Sequence, residues 1–171
     1  MAQHDLTHVD HAGAARMVDV SEKPPTARTA YASGVVRTTA EVVMLLRGDG
    51  LPKGDALATA RIAGIMAAKR TPDLIPLCHP IAISGVEVHL EPGETEVWVK
   101  ATVRTTDRTG VEMEALTAVT GAGLALHDMI KAVDPAAVLD AVRVERKEGG
   151  KTGTWVRPDA GGSPDVGRGR S

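Results

Sequence analysis

Ile83-Ser84-Gly85-Val86-Glu87-Val88-His89-Leu90 and Thr95-Glu96-Val97-Trp98-Val99-Lys100-Ala101-Thr102-Val103-Arg104-Thr105 flank the turn Glu91-Pro92-Gly93-Glu94, and both runs alternate apolar with polar side chains. Alternation with period two puts one set of side chains on each face of a pleated strand, so the pair reads as a β-hairpin with one buried face. Downstream, Val111 to about Val133 reads as a long helix, with Glu112 and Glu114 at the positive end of its dipole. Val138 to Glu145 supplies another strand. Upstream, Thr29 to Thr38 is a strand, Thr39 caps a short helix ended by Gly48 and Gly50, and Asp55 caps a second helix from Ala56 to about Arg70. Leu57, Ala60, Ile65 and Ala68 form its expected apolar side, and Pro72 closes it. Strand, helix, hairpin, helix, strand is βαββαβ, which predicts an α+β, ferredoxin-like fold with an antiparallel sheet and helices packed on one face.

The boundaries follow from composition. Residues 1–16, with His4, His8 and His11 at no regular spacing, read as a flexible N-terminal arm, 17–157 as one domain, and 158–171 as a disordered C-terminal tail of Gly, Pro, Asp and Arg. Helices on one face leave the other bare, which predicts apolar strand side chains there for a second copy to cover.

The chain has 171 residues, 43% of them apolar, enough for one core. Twenty basic residues against 22 acidic ones give no general field for nucleic acid or an anionic membrane, so an anionic ligand must be met by a local cluster. No apolar run approaches the roughly 20 residues that span a bilayer, and no signal-peptide pattern opens the chain. The single cysteine, Cys78, excludes an intrachain disulfide and Cys/His zinc spacing, which suits a reducing cytoplasm. One tyrosine, two tryptophans and no phenylalanine leave few platforms for stacking on single-stranded nucleic acid.

Four segments carry chemistry-bearing side chains. Lys53-Gly54-Asp55 sets a cation beside a helix start, although a turn with a solvated lysine fits as well. Leu74-Ile75-Pro76-Leu77-Cys78-His79-Pro80 fixes a thiol and an imidazole in a proline-stiffened loop, or simply packs. The long helix has Glu112-Met113-Glu114 at one end and Asp128 with Lys131 at the other; that pair, three apart on one face, suits acid/base work or a surface ion pair. Glu114 and Asp128 are separated by about 21 Å along the axis, too far for one compact substrate to touch both within a chain. Arg146-Lys147-Glu148-Gly149-Gly150-Lys151 is a glycine-rich basic loop without P-loop order.

Together these segments resemble the molybdenum cofactor biosynthesis protein C family, the cyclic pyranopterin monophosphate synthases. The most specific runs are Asp73-Leu74-Ile75-Pro76-Leu77-Cys78-His79-Pro80 and Thr109-Gly110-Val111-Glu112-Met113-Glu114-Ala115-Leu116-Thr117-Ala118. Met17-Val18-Asp19-Val20-Ser21, Lys53-Gly54-Asp55 and Gly149-Gly150-Lys151 extend the likeness, whereas His127 stands where an aromatic residue is expected. The resemblance implies a catalytic domain in a homohexamer, a trimer of dimers with sites at subunit interfaces, acting after a radical GTP cyclase. It implies Asp128, Lys131 and Lys53 as catalytic residues. It also implies substrate contact by Leu77, Cys78, His79, Met113 and Glu114, with Glu112, Arg28 and Lys147 around the same pocket. The implied small-molecule substrate is a cyclised dihydro-GTP; no cofactor or metal is called for, and the expected location is cytoplasmic. A regulatory ligand-binding module and a nucleotide hydrolase are the rival classes.

Overall fold

The computed structural model describes residues 8, 9, 12–48 and 55–158. Lys53, Gly54, Gly50, His4, His11 and the segment 159–171 lie outside the described residues. The elements are β1 (Thr26–Arg37), α1 (Ala40–Arg47), α2 (Ala56–Ala68), α3 (Thr71–Leu74), β2 (Ile83–Pro92), β3 (Glu96–Asp107), α4 (Glu112–Ile130), β4 (Val138–Glu148) and β5 (Trp155–Val156). They form one antiparallel sheet in the order β2-β3-β1-β4-β5, the ferredoxin-like arrangement with a short added edge strand. The caps work as their chemistry demands: Thr39 Oγ1 accepts from the Val42 amide at 3.3 Å, and Asp55 Oδ1 from the Ala58 amide at 2.8 Å.

The hairpin alternation is kept through β3 and the second half of β2, with an irregularity between Ile83 and Gly85. Val97, Val99, Ala101 and Val103 of β3 are buried beside Ala30, Ala32 and Val36 of β1 and Val88 and Leu90 of β2. Each such valine contributes about 1.5–3 kcal/mol by leaving water. Helix α4 covers this face with Ala115, Ala118, Val119, Ala122, Leu126 and Ile130.

Helix α2 keeps its expected apolar side in part: Ala60 and Ala68 are buried, and Leu57 and Ile65 pack against the core at its margin. Its buried stripe is Ala56, Ala60, Gly64 and Ala68, spaced by four, while Leu57 and Ile65 are only partly covered and Ile62 and Met66 are exposed. The reason is the closeness of α4: a Cβ on Gly64 would lie 2.8 Å from the Ala118 carbonyl oxygen, and one on Gly121 would lie 2.4 Å from the Ala67 Cβ. Only small side chains fit such a seam.

The outward sheet face is only in part the apolar surface that the sequence predicts, with Val35 opposite Trp98 and with Tyr31 on the same face of β1. Its positions carry the ion pairs Lys100–Glu91 at 2.8 Å, Arg104–Glu87 at 2.6 Å and Arg37–Asp140 at 2.9 Å. Exposed large apolar side chains sit on the helices, at Met44, Ile62, Met66 and Leu124, and at the strand ends, at Val138, Trp155 and Val156.

Candidate active site

One end of the sheet gathers the starts of β1 and β2, the ends of β3 and β4, and the N-terminus of α4, since Thr26 pairs with Asp107, Ile83 with Thr105, and Thr29 with Glu148. The proline-bracketed loop arrives at the same end. Helix α3 stops where the Ile75 amide donates to the Thr71 carbonyl, and the Cys78 amide donates to the Ile75 carbonyl at 3.0 Å, folding Ile75–Cys78 into a turn. Thr105 Oγ1 donates to the Ala82 carbonyl and fastens the loop to β3.

Between this loop and the first turn of α4 lies a cavity of about 320 Å³, lined on these two sides by Leu77, Cys78, His79, Glu112, Met113 and Glu114. Six residues named in two distant sequence runs thus share one enclosure. A smaller cavity of about 60 Å³ adjoins it through Gly110 and Glu112 and holds Arg28, Lys147, Gly149 and Thr152. Lys147 Nζ donates to Glu112 Oε1 at 3.0 Å. Arg28 Nε donates to the Asp107 carbonyl at 3.0 Å, and its Nη2 to the Arg108 carbonyl at 3.1 Å. Gly149 and Gly150 carry the loop past Arg28 with φ of 86° and 72°, a backbone that glycine adopts without strain.

Glu114 is 3% exposed, and burial pushes its carboxyl up to about 7, the charge of Glu112 adding to the rise. It is therefore divided between its protonated and ionised forms near neutrality, the range in which a carboxyl both gives and takes a proton. Cys78 moves the opposite way from an activated nucleophile: burial, then the Glu114 charge, raises its thiol above the ordinary range.

The structure does not bring Asp128 and Lys131 to this cavity within one chain. They form an ion pair of 2.6 Å at the far end of α4, 57% and 55% exposed, about 21 Å along the axis from Glu114. Lys53 lies outside the described residues, but Asp55 caps α2 at that same far end. The two helices run antiparallel, with Gly64 against Ala118 and Ala122, and Ala68 beside Glu114. The cavity also has lining residues that the sequence reading assigned no role, namely Val18, Val20, Lys23, Thr109 and Gly110, together with His8 of the arm. Val18 and Val20 alternate with Asp19, a signal too short to separate from chance.

Fold and cavity together define an α+β protein with a ferredoxin-like sheet and, at one end of it, a cavity where carboxylates, an imidazole and cations meet. The chain belongs to the MoaC family, whose model matches residues 17–150. It is 68% identical over 155 residues to a protein of Streptomyces coelicolor called cyclic pyranopterin monophosphate synthase, covering 91% of each chain. A Mycobacterium tuberculosis protein called cyclic pyranopterin monophosphate synthase 2 is 63% identical, over 90% of this chain and 92% of its own. A Corynebacterium efficiens protein called cyclic pyranopterin monophosphate synthase is 57% identical, over 88% and 97%.

Proposed function

We propose that this protein is a lyase of molybdenum cofactor biosynthesis, converting a cyclised dihydro-GTP to cyclic pyranopterin monophosphate and pyrophosphate in the cytoplasm, after a radical GTP cyclase. The observation that carries the reading is the meeting of Leu77, Cys78, His79, Met113 and Glu114 in one cavity of a chain 68% identical to a relative of that name. Opening the imidazole part of the purine and reclosing it as a pyrazine ring moves protons on and off nitrogen and carbon, which suits a carboxyl such as Glu114 and a lysine–carboxylate pair such as Lys131 and Asp128. In the phosphate step a substrate hydroxyl oxygen bonds to the nearest phosphorus. The bond to pyrophosphate breaks, and the hydroxyl proton leaves to a base. Positive charge from Lys147, Arg28 and Lys53 favours the departing anion.

In this reading the site is shared. The cavity holds the substrate-contacting residues, while Asp128 and Lys131 stand at the other end of α4, so a neighbouring copy supplies them in a homohexamer built as a trimer of dimers. The exposed Ile62, Met66 and Leu124 on the helix pair suit such contacts. The test is incubation of the full chain with the cyclised intermediate, reading pterin fluorescence after oxidation and released pyrophosphate. Both products are expected in equal amounts; phosphate or pyrophosphate released from plain GTP without pterin would favour a hydrolase.

A further inference from the structure

Glu114 borders two hollows of the molecule. On one side it lines the cavity of about 320 Å³ together with Cys78 and His79. On the other it lines a separate recess of about 80 Å³, formed by Ala68 and Lys69 at the end of α2, Pro72 of α3, and Pro80, Ile81 and Ile83 at the approach to β2. Among the described residues, Glu114 is the one that both linings share. The proline-bracketed loop runs between the two, with Leu77, Cys78 and His79 on the cavity side and Pro80 on the other. The recess reaches from an exposed rim at Lys69 and Pro80 to a floor of Ala68, which is fully buried, and Glu114.

Its walls are held in place. Thr71 Oγ1 donates to the Ala68 carbonyl at 3.0 Å where α2 turns into α3, and the bond from Thr105 Oγ1 to the Ala82 carbonyl fixes the approach to β2. Its lining is mixed. Ala68, Pro72, Pro80, Ile81 and Ile83 alone would enclose a dry hole, whereas a carboxyl at one end and an ammonium at the other give water polar partners, and the volume has room for about two waters. The charged and titratable groups around Glu114 are Glu112 on its own helix, Cys78 and His79 in the loop, His8 and Lys23 across the cavity, and Lys69 at the recess rim.

We propose that this recess is a water-filled proton passage, through which a proton taken up by Glu114 from a ligand in the larger cavity leaves to bulk solvent. A substrate N–H or C–H bond breaks and its electron pair stays on the nitrogen or carbon. The proton bonds to a Glu114 carboxylate oxygen and passes from there to a recess water, which restores the carboxylate. A nucleotide-sized ligand fills the larger cavity and blocks the way out on that side, so a second opening behind the same carboxyl is what lets the proton depart before the product does. With its carboxyl pushed up to about 7 by burial, Glu114 surrenders that proton to water readily at neutral pH. The source of the proton rests on the synthase reading; the hydration of the recess does not.

The test uses the full chain and two readouts. A crystal structure of the wild type should show ordered water in the recess, one molecule within hydrogen-bond distance of a Glu114 carboxyl oxygen. Ile83→Trp, or Ile81→Phe should the larger ring prevent folding, fills the recess without touching the larger cavity. With the cyclised substrate the filled variant should leave KM within about two-fold, lower kcat by roughly ten-fold, and enlarge the solvent deuterium isotope effect on kcat, because proton release has become the slow step. A dry recess in the wild type would overturn the proposal, as would a filled variant with kcat unchanged or with kcat lowered and the isotope effect unmoved. If the wild type makes no pterin, the synthase reading falls, and the water at Glu114 alone then decides the passage.

Discussion

Lys147 on β4 and Glu112 in the first turn of α4 meet at 3.0 Å, and that pair joins the two cavities. Both side chains are about two-thirds covered, 35% and 29% exposed, so their coupling exceeds that of a solvated surface pair. Lys147→Ala removes a cation and leaves the Glu112 carboxylate to repel an incoming phosphate. GTP binding by calorimetry should weaken by roughly ten-fold, and adding Glu112→Gln should recover part of it; strictly additive losses in the double-mutant cycle would deny the coupling.

Glu114 predicts how stability follows pH. Its folded value, about 7, lies above the ordinary 4.5, so the folded state holds a proton that the unfolded chain has released. Below pH 4.5 both states are protonated and the group contributes no difference. Stability then falls as pH rises from about 4.5 to about 7, by up to about 3 kcal/mol, and levels off above. Glu114→Gln should flatten this part of the profile and melt above the wild type at pH 8. Parallel melting curves for the two proteins from pH 4.5 to 8 would contradict the burial argument.

The separation of Asp128 from Glu114 along α4 predicts complementation between copies. Asp128→Ala and His79→Ala should each fold, assemble and lose turnover, whereas co-assembled mixtures should regain a measurable fraction, since some sites draw both intact halves from different chains. Mixtures as inactive as their parents would place the whole site in one chain.

The helix seam makes a stability prediction of unusual sign. Alanine normally favours a helix over glycine by about 1 kcal/mol. At Gly121 the added methyl meets the Ala67 Cβ at 2.4 Å, so Gly121→Ala should destabilise by about 1–3 kcal/mol in denaturant titration. A stabilised variant would mean that α2 and α4 sit farther apart than described.

How far the sequence could be read depended on whether a signal was local. The hairpin was legible because its period persists through Val97, Val99, Ala101 and Val103, and the caps because Thr39 and Asp55 act within their own turns. The loop from Leu77 to His79 and the run from Glu112 to Glu114 were legible through resemblance, and the cavity brings them together. What escaped depends on distance through space. No local pattern says that β5 pairs with β4, that Gly64 is buried at the centre of the α2 seam, or that Glu87 and Arg104 meet on the outward sheet face. Lys23 escaped for the same reason, since only the folded chain brings it to the cavity that Glu112 also lines.

The tight fit of Gly64 and Gly121 against the opposite helix has a mechanical consequence. Helices touching through backbone have no soft layer between them that could yield, so α4, whose first turn lines the cavity, rests on a stiff support. The opposite wall, the coil from Val18 to Lys23, has no helix or strand to stiffen it and is the side that can yield. Anchoring Met17–Ser21 to the proline-flanked turn with an engineered crosslink should thus trap a preloaded nucleotide and bar an added one.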